Sequence, residues 1–305
     1  MQYSDTPIAI VGLGYVGLPL AVEFGKIRET VGFDINQERI NQLQANLDIT
    51  GECSSRELST AKLLSYSSCI NDIENAQVYI ITVPTPIDTV NRPDLSPLKH
   101  ASKCVGAILK KGDIVIYEST VFPGATEEVC VPILEKHSGL IFNEDFSCGY
   151  SPERINPGDK SKGVADIKKI ISGSNIYARK FIFALYKKII KAGIYVAPNI
   201  KIAEAAKILE NVQRDVNISL MNEVSLIFSK MNVDTHEVIK AASTKWNFLK
   251  FSPGLVGGHC ISVDPYYLKY KSEKIGYSPK VISSGRNVNE KMSSMIVSRV
   301  LNYLK

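Results

Sequence analysis

A glycine-rich stretch, GLVGGHCISVDPYY at 254–267, holds the residues with the clearest chemical potential in the chain. Cys260 follows a glycine pair and precedes Asp264 by four residues. Such a cysteine can be a buried core thiol, a metal ligand or a nucleophile, and the stretch alone leaves all three open. Its glycines and prolines suit close contact between the backbone and a ligand.

Two further polar groups accompany this loop. Lys207, Asn211 and Arg214 follow an i, i+4, i+7 spacing, so they share one face of a helix, which is either functional or merely solvated. The segment GYSPERINPGD at 149–159 carries Glu153 and Arg154 between two prolines. These groups are candidates for a chemistry site.

A dinucleotide site is indicated near the N-terminus. Gly12, Gly14 and Gly17 spell GxGxxG between an apolar run and a helical pattern, where glycines permit a tight turn and close approach to a pyrophosphate. Asp34 ends the next apolar run and can bind an adenosine ribose hydroxyl while repelling a 2′-phosphate, which favours NAD over NADP. Arg39 either stacks on the adenine or is a surface helix arginine.

Polar residues also follow two later apolar runs, in TVPTP (82–86) and YESTVFPGAT (117–126). The carboxyl ends of strands line the ligand crevice of an open α/β sheet. Thr85, Ser119 and Thr120 are therefore site candidates, although each could also be an ordinary turn residue.

A cysteine beside an NAD site has a specific chemical use. One oxidation of an alcohol needs a base, whereas oxidising an aldehyde further benefits from a thiolate that adds to the carbonyl. Loss of hydride from the thiohemiacetal then gives a thioester, which water hydrolyses. A nearby lysine would lower the pKa of the thiol and stabilise the oxyanion.

Short apolar runs and helical patterns alternate up to about residue 190, as in PIAIVGLG, AQVYIITVP and DIVIYEST. This alternation predicts an α/β fold with a Rossmann-like, doubly wound parallel sheet. Residues 201–231 contain no glycine or proline and predict one helix about 45 Å long, either a spine or a dimer interface. We predict an NAD-binding domain over 1–198 and an α-helical central domain over 199–305 that carries the cysteine loop.

Composition excludes several classes of protein. The net charge of +5 is dispersed, so no nucleic-acid surface is expected. No apolar run approaches the ~18–20 residues of a membrane span, and the first apolar run reads as a strand and not as a signal peptide. Six cysteines without a CxxC pair indicate reduced thiols and a cytoplasmic location. The four scattered histidines argue against a metal site.

Several motifs in order resemble the UDP-glucose/GDP-mannose dehydrogenases: GLGYVGLPLA, TVPTP, ESTVFPGAT, PERINPGD, KILENVQRDVNISLMNE and PGLVGGHCISVDPYYL. The resemblance runs from residue 8 to about residue 300. It implies an NAD-dependent enzyme that converts the C6 alcohol of a nucleotide sugar to a carboxylate in two oxidations.

The resemblance also implies roles for individual residues. Cys260 would be the nucleophile, and Lys207 would stabilise the oxyanion. Asn211 and Asp264, helped by Thr120, would orient and activate water or the hydroxyl, and Glu153 would assist thioester hydrolysis. The implied substrate contacts are Glu153, Arg154, Ile155, Lys207, Asn211, Arg214 and Gly257. The implied NAD contacts are Gly12, Gly14, Tyr15, Val16, Gly17, Asp34, Arg39, Thr85 and Thr120.

The motifs SPERINPGD, ENVQRDVNISLMNE and GGHC are similar to those of the branch that acts on UDP-N-acetylhexosamines for surface polysaccharides. UDP-glucose enzymes usually show NPEFLREG and GGSC instead. Members of the family usually continue as a second Rossmann-like domain that covers the nucleotide. This chain stops at Lys305, so we expect that domain and part of the UDP pocket to be missing.

Three hypotheses follow from the sequence. The first is a UDP-N-acetylhexosamine 6-dehydrogenase that forms a homodimer through the long helix. The second is a one-step β-hydroxyacid dehydrogenase, which shares the layout and the helix lysine but needs no GGHC cysteine. The third is a chain that binds NAD and dimerises without turnover. The NADH yield separates them, at two, one or none per substrate molecule.

Overall fold

The computed structural model describes residues 7–155, 163–257 and 261–304, apart from the side chain of Tyr303. The strands are β1 (Ile8–Val11), β2 (Thr30–Phe33), β3 (Leu64–Ser67), β4 (Val78–Ile81), β5 (Ile114–Tyr117), β6 (Ser147–Tyr150), β7 (Lys169–Gly173) and β8 (Ile194–Val196). The helices are α1 (Gly17–Gly25), α2 (Gln37–Gln44), α3 (Ser55–Thr60), α4 (Ser96–Ile108), α5 (Val131–Ser138), α6 (Ile176–Lys187), α7 (Ile200–Lys230), α8 (Thr235–Ala242), α9 (Asp264–Lys274) and α10 (Lys280–Tyr303).

The chain forms two compact units. The N-terminal unit comprises Met1–Thr85 and Asp94–Lys207, and the C-terminal unit comprises Pro86–Pro93 and Ile208–Lys305. Helix α7 therefore contributes its first turns to one unit and its remainder to the other. The domain boundary placed after residue 198 stays a prediction.

The N-terminal unit is built on an eight-stranded sheet in the order β3-β2-β1-β4-β5-β6-β7-β8. β1 lies between β2 and β4 and pairs with both in parallel, so the strand order reverses at β1 and β4. Ligands of open α/β sheets bind beyond the carboxyl ends of the strands at such a switch point. The predicted Rossmann-like, doubly wound fold is confirmed.

The central strands are buried on both faces. Every residue of β1 (IAIV), β4 (VYII) and β5 (IVIY) is buried, which is the continuous pattern of a parallel sheet covered by helices on both sides. Phe24 of α1 and Ile182 of α6 belong to the same fully buried core as the strands. Burial of each such side chain contributes about 1.5–3 kcal/mol to folding.

One strand pair departs from the parallel arrangement that we expected. β6 and β7 pair antiparallel through Gly149–Gly173 and Tyr150–Ser172. A Cβ on Gly149 would lie 2.8 Å from the Ser172 carbonyl oxygen on β7 and 2.2 Å from Cδ1 of Ile182 on α6, so a larger residue here would force the strand pair and the helix packing to shift. The sequence of β6, SCGY, has too little apolar character to signal a strand.

The C-terminal unit is helical, as predicted, and α7 spans 31 residues. Its buried Asp215 accepts a hydrogen bond from Nη1 of Arg286 on α10 at 2.7 Å and another from Nδ2 of Asn289 at 2.8 Å. The loop expected over 249–267 ends earlier, because α9 begins at Asp264 with Pro265 in its first turn.

The start of α7 is anchored within the N-terminal unit by Glu204. This fully buried carboxylate accepts hydrogen bonds from the backbone N–H groups of Gly124, at 2.5 Å, and Thr126, at 2.9 Å. Burial raises the pKa of Glu204 to about 7, although these hydrogen bonds lower it. Glu204 thereby fixes the segment that follows β5, which contains Thr120.

We expect Glu204→Ala to lower the free energy of unfolding by about 2–4 kcal/mol, because it leaves two buried N–H donors without an acceptor. Lys201→Ala is a matched control on the same helix, since Lys201 makes an exposed 3.6 Å pair with Glu128. That control should stay within about 0.5 kcal/mol of wild type. Urea unfolding measures both, and equal losses would contradict the anchoring role.

Candidate active site

The turn between β1 and α1 depends on its three glycines in different ways. Gly12 has a φ of +99°, and a Cβ on Gly17 would lie 1.9 Å from the Gly12 carbonyl oxygen. These two glycines are therefore required by the turn and by the packing of helix on strand. A Cβ on Gly14 would meet nothing within 4 Å. Gly14 thus borders open space in which a ligand can approach the backbone.

Neighbouring groups hold this turn and leave the helix end available. Oγ1 of Thr82, just after β4, donates a hydrogen bond to the Gly12 carbonyl at 2.6 Å. Val16 is the N-cap of α1 and supplies no side-chain cap, and the first turn of the helix carries no acidic residue. Tyr15 lies in the same turn. Uncapped N–H groups at a helix N-terminus favour an anionic ligand such as a pyrophosphate.

Asp34, just after β2, is fixed by two backbone groups. Its Oδ2 accepts a hydrogen bond from the N–H of Leu13 and its Oδ1 accepts one from the N–H of Asn36, each at 2.9 Å. The carboxylate is partly exposed. It is therefore held beside the glycine turn, where a carboxylate binds an adenosine ribose.

Arg39 of α2 is buried and not a free surface side chain. Its Nε donates a hydrogen bond to the Leu13 carbonyl at 3.0 Å, and its Nη1 lies 2.8 Å from Oδ1 of Asp48. The stacking of Arg39 on an adenine stays a prediction. Together, the open Gly14, the uncapped helix end and the oriented Asp34 fit NAD.

Thr85, Ser119 and Thr120 follow β4 and β5, so they lie at the same carboxyl edge of the sheet as this turn. Thr85 and Thr120 are partly exposed. Ser119 is buried, and its Oγ donates a hydrogen bond to the carbonyl of Val83 at 2.6 Å, so it links the segments that follow the two strands. Ser119 therefore has a structural role that its position in the sequence did not reveal.

A buried charge cluster surrounds Glu153. Nζ of Lys169 lies 2.6 Å from Oε2 of Glu118 and 3.4 Å from Oε2 of Glu153. The hydroxyl of Tyr186 donates to Oε1 of Glu118. Burial lowers the pKa of Lys169, but the two carboxylates outweigh it and raise the pKa above its usual range. Burial raises the pKa of Glu118, although Lys169 opposes this.

The other oxygen of Glu153 is held by the backbone. Its Oε1 accepts hydrogen bonds from the N–H groups of Arg154 and Ile155, both at 2.6 Å. Nη1 of Arg154 donates to the carbonyl of Lys168 at 2.7 Å. Glu153 is therefore a rigid acceptor, and its contacts hold the backbone of Arg154 and Ile155.

Sequence reasoning missed Glu118 and Lys169. Both are fully or almost fully buried. A signal existed, because Lys169 opens an apolar strand and Glu118 directly follows one, and charged residues are rarely buried unless they are paired. Their pairing across 51 positions was not visible in the sequence.

In the C-terminal unit the structure brings Asn211 and Asp264 together. Nδ2 of Asn211 donates to Oδ2 of Asp264 at 2.5 Å, and Nη1 of Arg214 donates to Oδ1 of Asn211 at 3.2 Å. Asn211 and Asp264 are buried, and so is Lys207, one turn earlier on α7. This face of the helix is therefore not merely solvated. The amide of Asn211 has a fixed orientation.

The segment that leads to the cysteine loop is held by Asn222 of α7. Nδ2 of Asn222 donates to the Gly254 carbonyl at 2.9 Å, and its Oδ1 accepts from the Gly254 N–H at 2.8 Å. Gly257 is exposed. Cys260 lies outside the described residues, so the role predicted for it stays a prediction. Asn222 belongs to the motif KILENVQRDVNISLMNE, from which no role was predicted for it.

Two negative findings apply to the described part of the chain. Within residues 7–155, 163–257 and 261–304, no three His, Cys, Asp or Glu side chains are placed to share a metal ion. None of the helices described there is long and apolar enough to cross a membrane.

The sheet, its switch point and the glycine turn beside Asp34 are those of a dinucleotide-binding Rossmann fold, and comparison with known proteins agrees. The NAD binding domain of the UDP-glucose/GDP-mannose dehydrogenase family matches residues 6–190, and the central domain of that family matches residues 201–291. The chain belongs to this family. It is an NAD-dependent nucleotide-sugar dehydrogenase, which confirms the resemblance read from its motifs.

Individual relatives are similar over almost the whole chain. The UDP-N-acetyl-D-glucosamine 6-dehydrogenase of Pseudomonas aeruginosa is 58% identical over 98% of this chain and 71% of its own length. That of Salmonella typhi is 56% identical over 98% of this chain and 70% of its own length. A solved structure of UDP-D-ManNAc dehydrogenase from Pyrococcus horikoshii superimposes with a TM-score of 0.91 at 34% identity, covering 98% of this chain and 71% of that one.

Substitution can separate the role of Gly14 in ligand approach from the role of Gly17 in packing. We expect Gly14→Ala to keep its unfolding free energy within about 1 kcal/mol of wild type. The added methyl group should weaken NAD⁺ binding roughly tenfold or more, because it fills the space beside the backbone. Gly17→Ala should instead lose about 1–3 kcal/mol of stability, since its Cβ meets the backbone.

Calorimetric titration with NAD⁺ and urea unfolding measure these effects. Wild-type affinity in Gly14→Ala, or wild-type stability in Gly17→Ala, would contradict this assignment.

Proposed function

We propose that the protein oxidises the C6 alcohol of a UDP-N-acetylhexosamine to the uronic acid in two NAD-dependent steps, with UDP-N-acetyl-D-glucosamine as the leading substrate. The observation that carries this proposal is the buried hydrogen bond between the Asn211 amide and the carboxylate of Asp264, a residue four positions after Cys260 in the chain. The relatives named UDP-N-acetyl-D-glucosamine 6-dehydrogenase support the choice of sugar.

In the first oxidation, Asn211 orients the C6 hydroxyl or a water and the Asp264 carboxylate takes up its proton, with Thr120 as a further hydrogen-bonding group. When bound, NAD⁺ accepts the hydride that leaves C6 in each of the two oxidations. Lys207 stabilises the negative charge that develops on the C6 oxygen. The product of this step is an aldehyde.

The second oxidation uses Cys260. Its thiolate adds to the aldehyde carbon, which forms a C–S bond and places negative charge on the oxygen beside Lys207. Loss of hydride from this carbon converts the thiohemiacetal to a thioester. Water then attacks the acyl carbon, the C–S bond breaks, and the carboxylate and the thiolate are released. The sum is one alcohol, one water and two NAD⁺ giving one carboxylate, two NADH and three protons.

Glu153 is the group we assign to the hydrolytic step. One of its oxygens accepts from two backbone N–H groups, and the other lies 3.4 Å from Nζ of Lys169. These donors hold the carboxylate in one orientation. It can therefore accept a proton from the attacking water without first reorienting.

Substrate binding completes the proposal. We assign contacts with the UDP-sugar to Arg154, Ile155, Arg214 and Gly257, in addition to Glu153, Lys207 and Asn211. Guanidinium groups suit a diphosphate because their donors match its oxygens. NAD contacts are assigned to the glycine turn with Tyr15 and Val16, to Asp34 and Arg39, and to Thr85 and Thr120.

We also propose a working context for the enzyme. Residues 1–198 form the NAD-binding domain, and 199–305 form the central domain with the cysteine loop. The central domain pairs with a second copy through α7, whose Leu209, Leu220 and Ile227 are about half exposed or more. We place the enzyme in the cytoplasm, and its uronic acid product in surface-polysaccharide synthesis.

The decisive test is NADH yield with a panel of UDP-GlcNAc, UDP-GalNAc, UDP-ManNAc and UDP-glucose. We expect two NADH per molecule of an N-acetylated sugar, with UDP-GlcNAc the best substrate. One NADH per sugar would favour a one-step alcohol dehydrogenase. No NADH in a protein that still binds NAD⁺ would favour a binding role without turnover.

The role of Cys260 is tested in the same assay. Cys260→Ser should form no uronic acid at an appreciable rate, because an alkoxide-derived ester replaces the reactive thioester. Cys69→Ser is the matched control, since Cys69 is an exposed free cysteine of the N-terminal unit. Uronic acid formation at the wild-type rate by Cys260→Ser would rule out the thioester route.

A further inference from the structure

We propose that Asp48 is a second determinant of the preference for NAD over NADP, and that it acts through Arg39. In Rossmann folds an arginine near the adenosine ribose accommodates the 2′-phosphate of NADP. This chain has such an arginine on the helix that follows Asp34. The structure indicates why its charge does not attract a phosphate.

Arg39 is held from two sides and removed from water. Its Nε donates to the Leu13 carbonyl at 3.0 Å, and its Nη1 lies 2.8 Å from Oδ1 of Asp48. The Asp48 side chain is completely buried and that of Arg39 is 8% exposed. The positive charge of Arg39 is therefore balanced within the fold by a carboxylate whose side chain is shielded from solvent.

Asp48 keeps its position independently of Arg39. Its Oδ1 accepts from the N–H and Oγ1 of Thr50, at 3.0 and 2.7 Å. Its Oδ2 accepts from the N–H groups of Glu52 and Cys53, at 3.0 and 2.9 Å. Burial raises the pKa of Asp48, but these hydrogen bonds and Arg39 outweigh it and lower the pKa. Asp48 is thus a preformed anion that holds the guanidinium.

Leu13 connects the Arg39–Asp48 pair to Asp34, the carboxylate assigned to the adenosine ribose. Its N–H donates to Asp34 and its carbonyl accepts from Arg39, so one residue of the glycine turn connects both ends of the site. Turning the Arg39 guanidinium toward a 2′-phosphate would disturb its buried contacts with Leu13 and Asp48. Stacking of Arg39 on the adenine would not discriminate, because NAD and NADP share that ring. Asp34 therefore repels the phosphate, and Asp48 removes the charge that would attract it.

The test is the ratio of the dissociation constants for NADP⁺ and NAD⁺, measured by calorimetric titration without turnover. Asp34→Ser should lower the ratio by removing repulsion. Adding Asp48→Asn to Asp34→Ser should lower the ratio again, by a further factor of roughly ten or more. This is the size expected for a newly available charged hydrogen bond. Adding Arg39→Met to that double variant should abolish the further gain, because Arg39 is the group that Asp48 holds.

Thr50→Val is the matched control, since it removes one donor to Asp48 and leaves the Arg39 contact in place; its ratio should equal that of wild type. The proposal is overturned if the double variant weakens both dinucleotides equally, or if the gain survives Arg39→Met. Asp34→Ser/Arg39→Met tests the idea without touching Asp48. We expect its ratio to equal that of Asp34→Ser, and a selective loss of NADP⁺ binding would refute the proposal.

Discussion

The close approach of Gly17 to the Gly12 carbonyl, which leaves no room for a Cβ, is the constraint on which the N-terminal unit depends. It sets how closely α1 approaches β1, and Thr82 closes the same turn from β4. Because Leu13 lies inside the turn, this geometry also positions the backbone groups that orient Asp34 and Arg39. Packing of a helix on a strand and the proposed recognition of a dinucleotide thus involve the same few atoms.

Buried charges recur wherever a functional side chain must be held still. Lys169 balances Glu118 and Glu153, Asp48 balances Arg39, and Arg286 of α10 pairs with Asp215 of α7. Such pairs add little net stability over apolar packing, but removing one partner leaves an uncompensated buried charge at a cost of about 3–5 kcal/mol. We interpret them as positioning devices, since each adjoins a candidate site or joins two long helices.

The sequence was sufficient for features that are local in the chain. The glycine turn, Asp34 and the long helix each follow from a short pattern, and the structure places them as expected. Pairings between distant segments could not be predicted, such as Lys169 with Glu118 or Asn222 with Gly254. β6 was missed because a four-residue SCGY strand has no periodicity, and its antiparallel pairing with β7 joins residues more than 20 positions apart. The role of Cys260 remains a prediction from its motif.

In the proposed mechanism Cys260 carries the sugar as a thioester, and mass spectrometry of the intact protein detects such an adduct. Glu153→Gln, which should slow hydrolysis, is incubated with NAD⁺ and UDP-N-acetyl-D-glucosamine and quenched with acid. We expect the protein mass to increase by that of the UDP-N-acetylglucosaminuronyl group, located on the peptide that contains Cys260. NADH formation without any adduct, or an adduct on another cysteine such as Cys69, would contradict it.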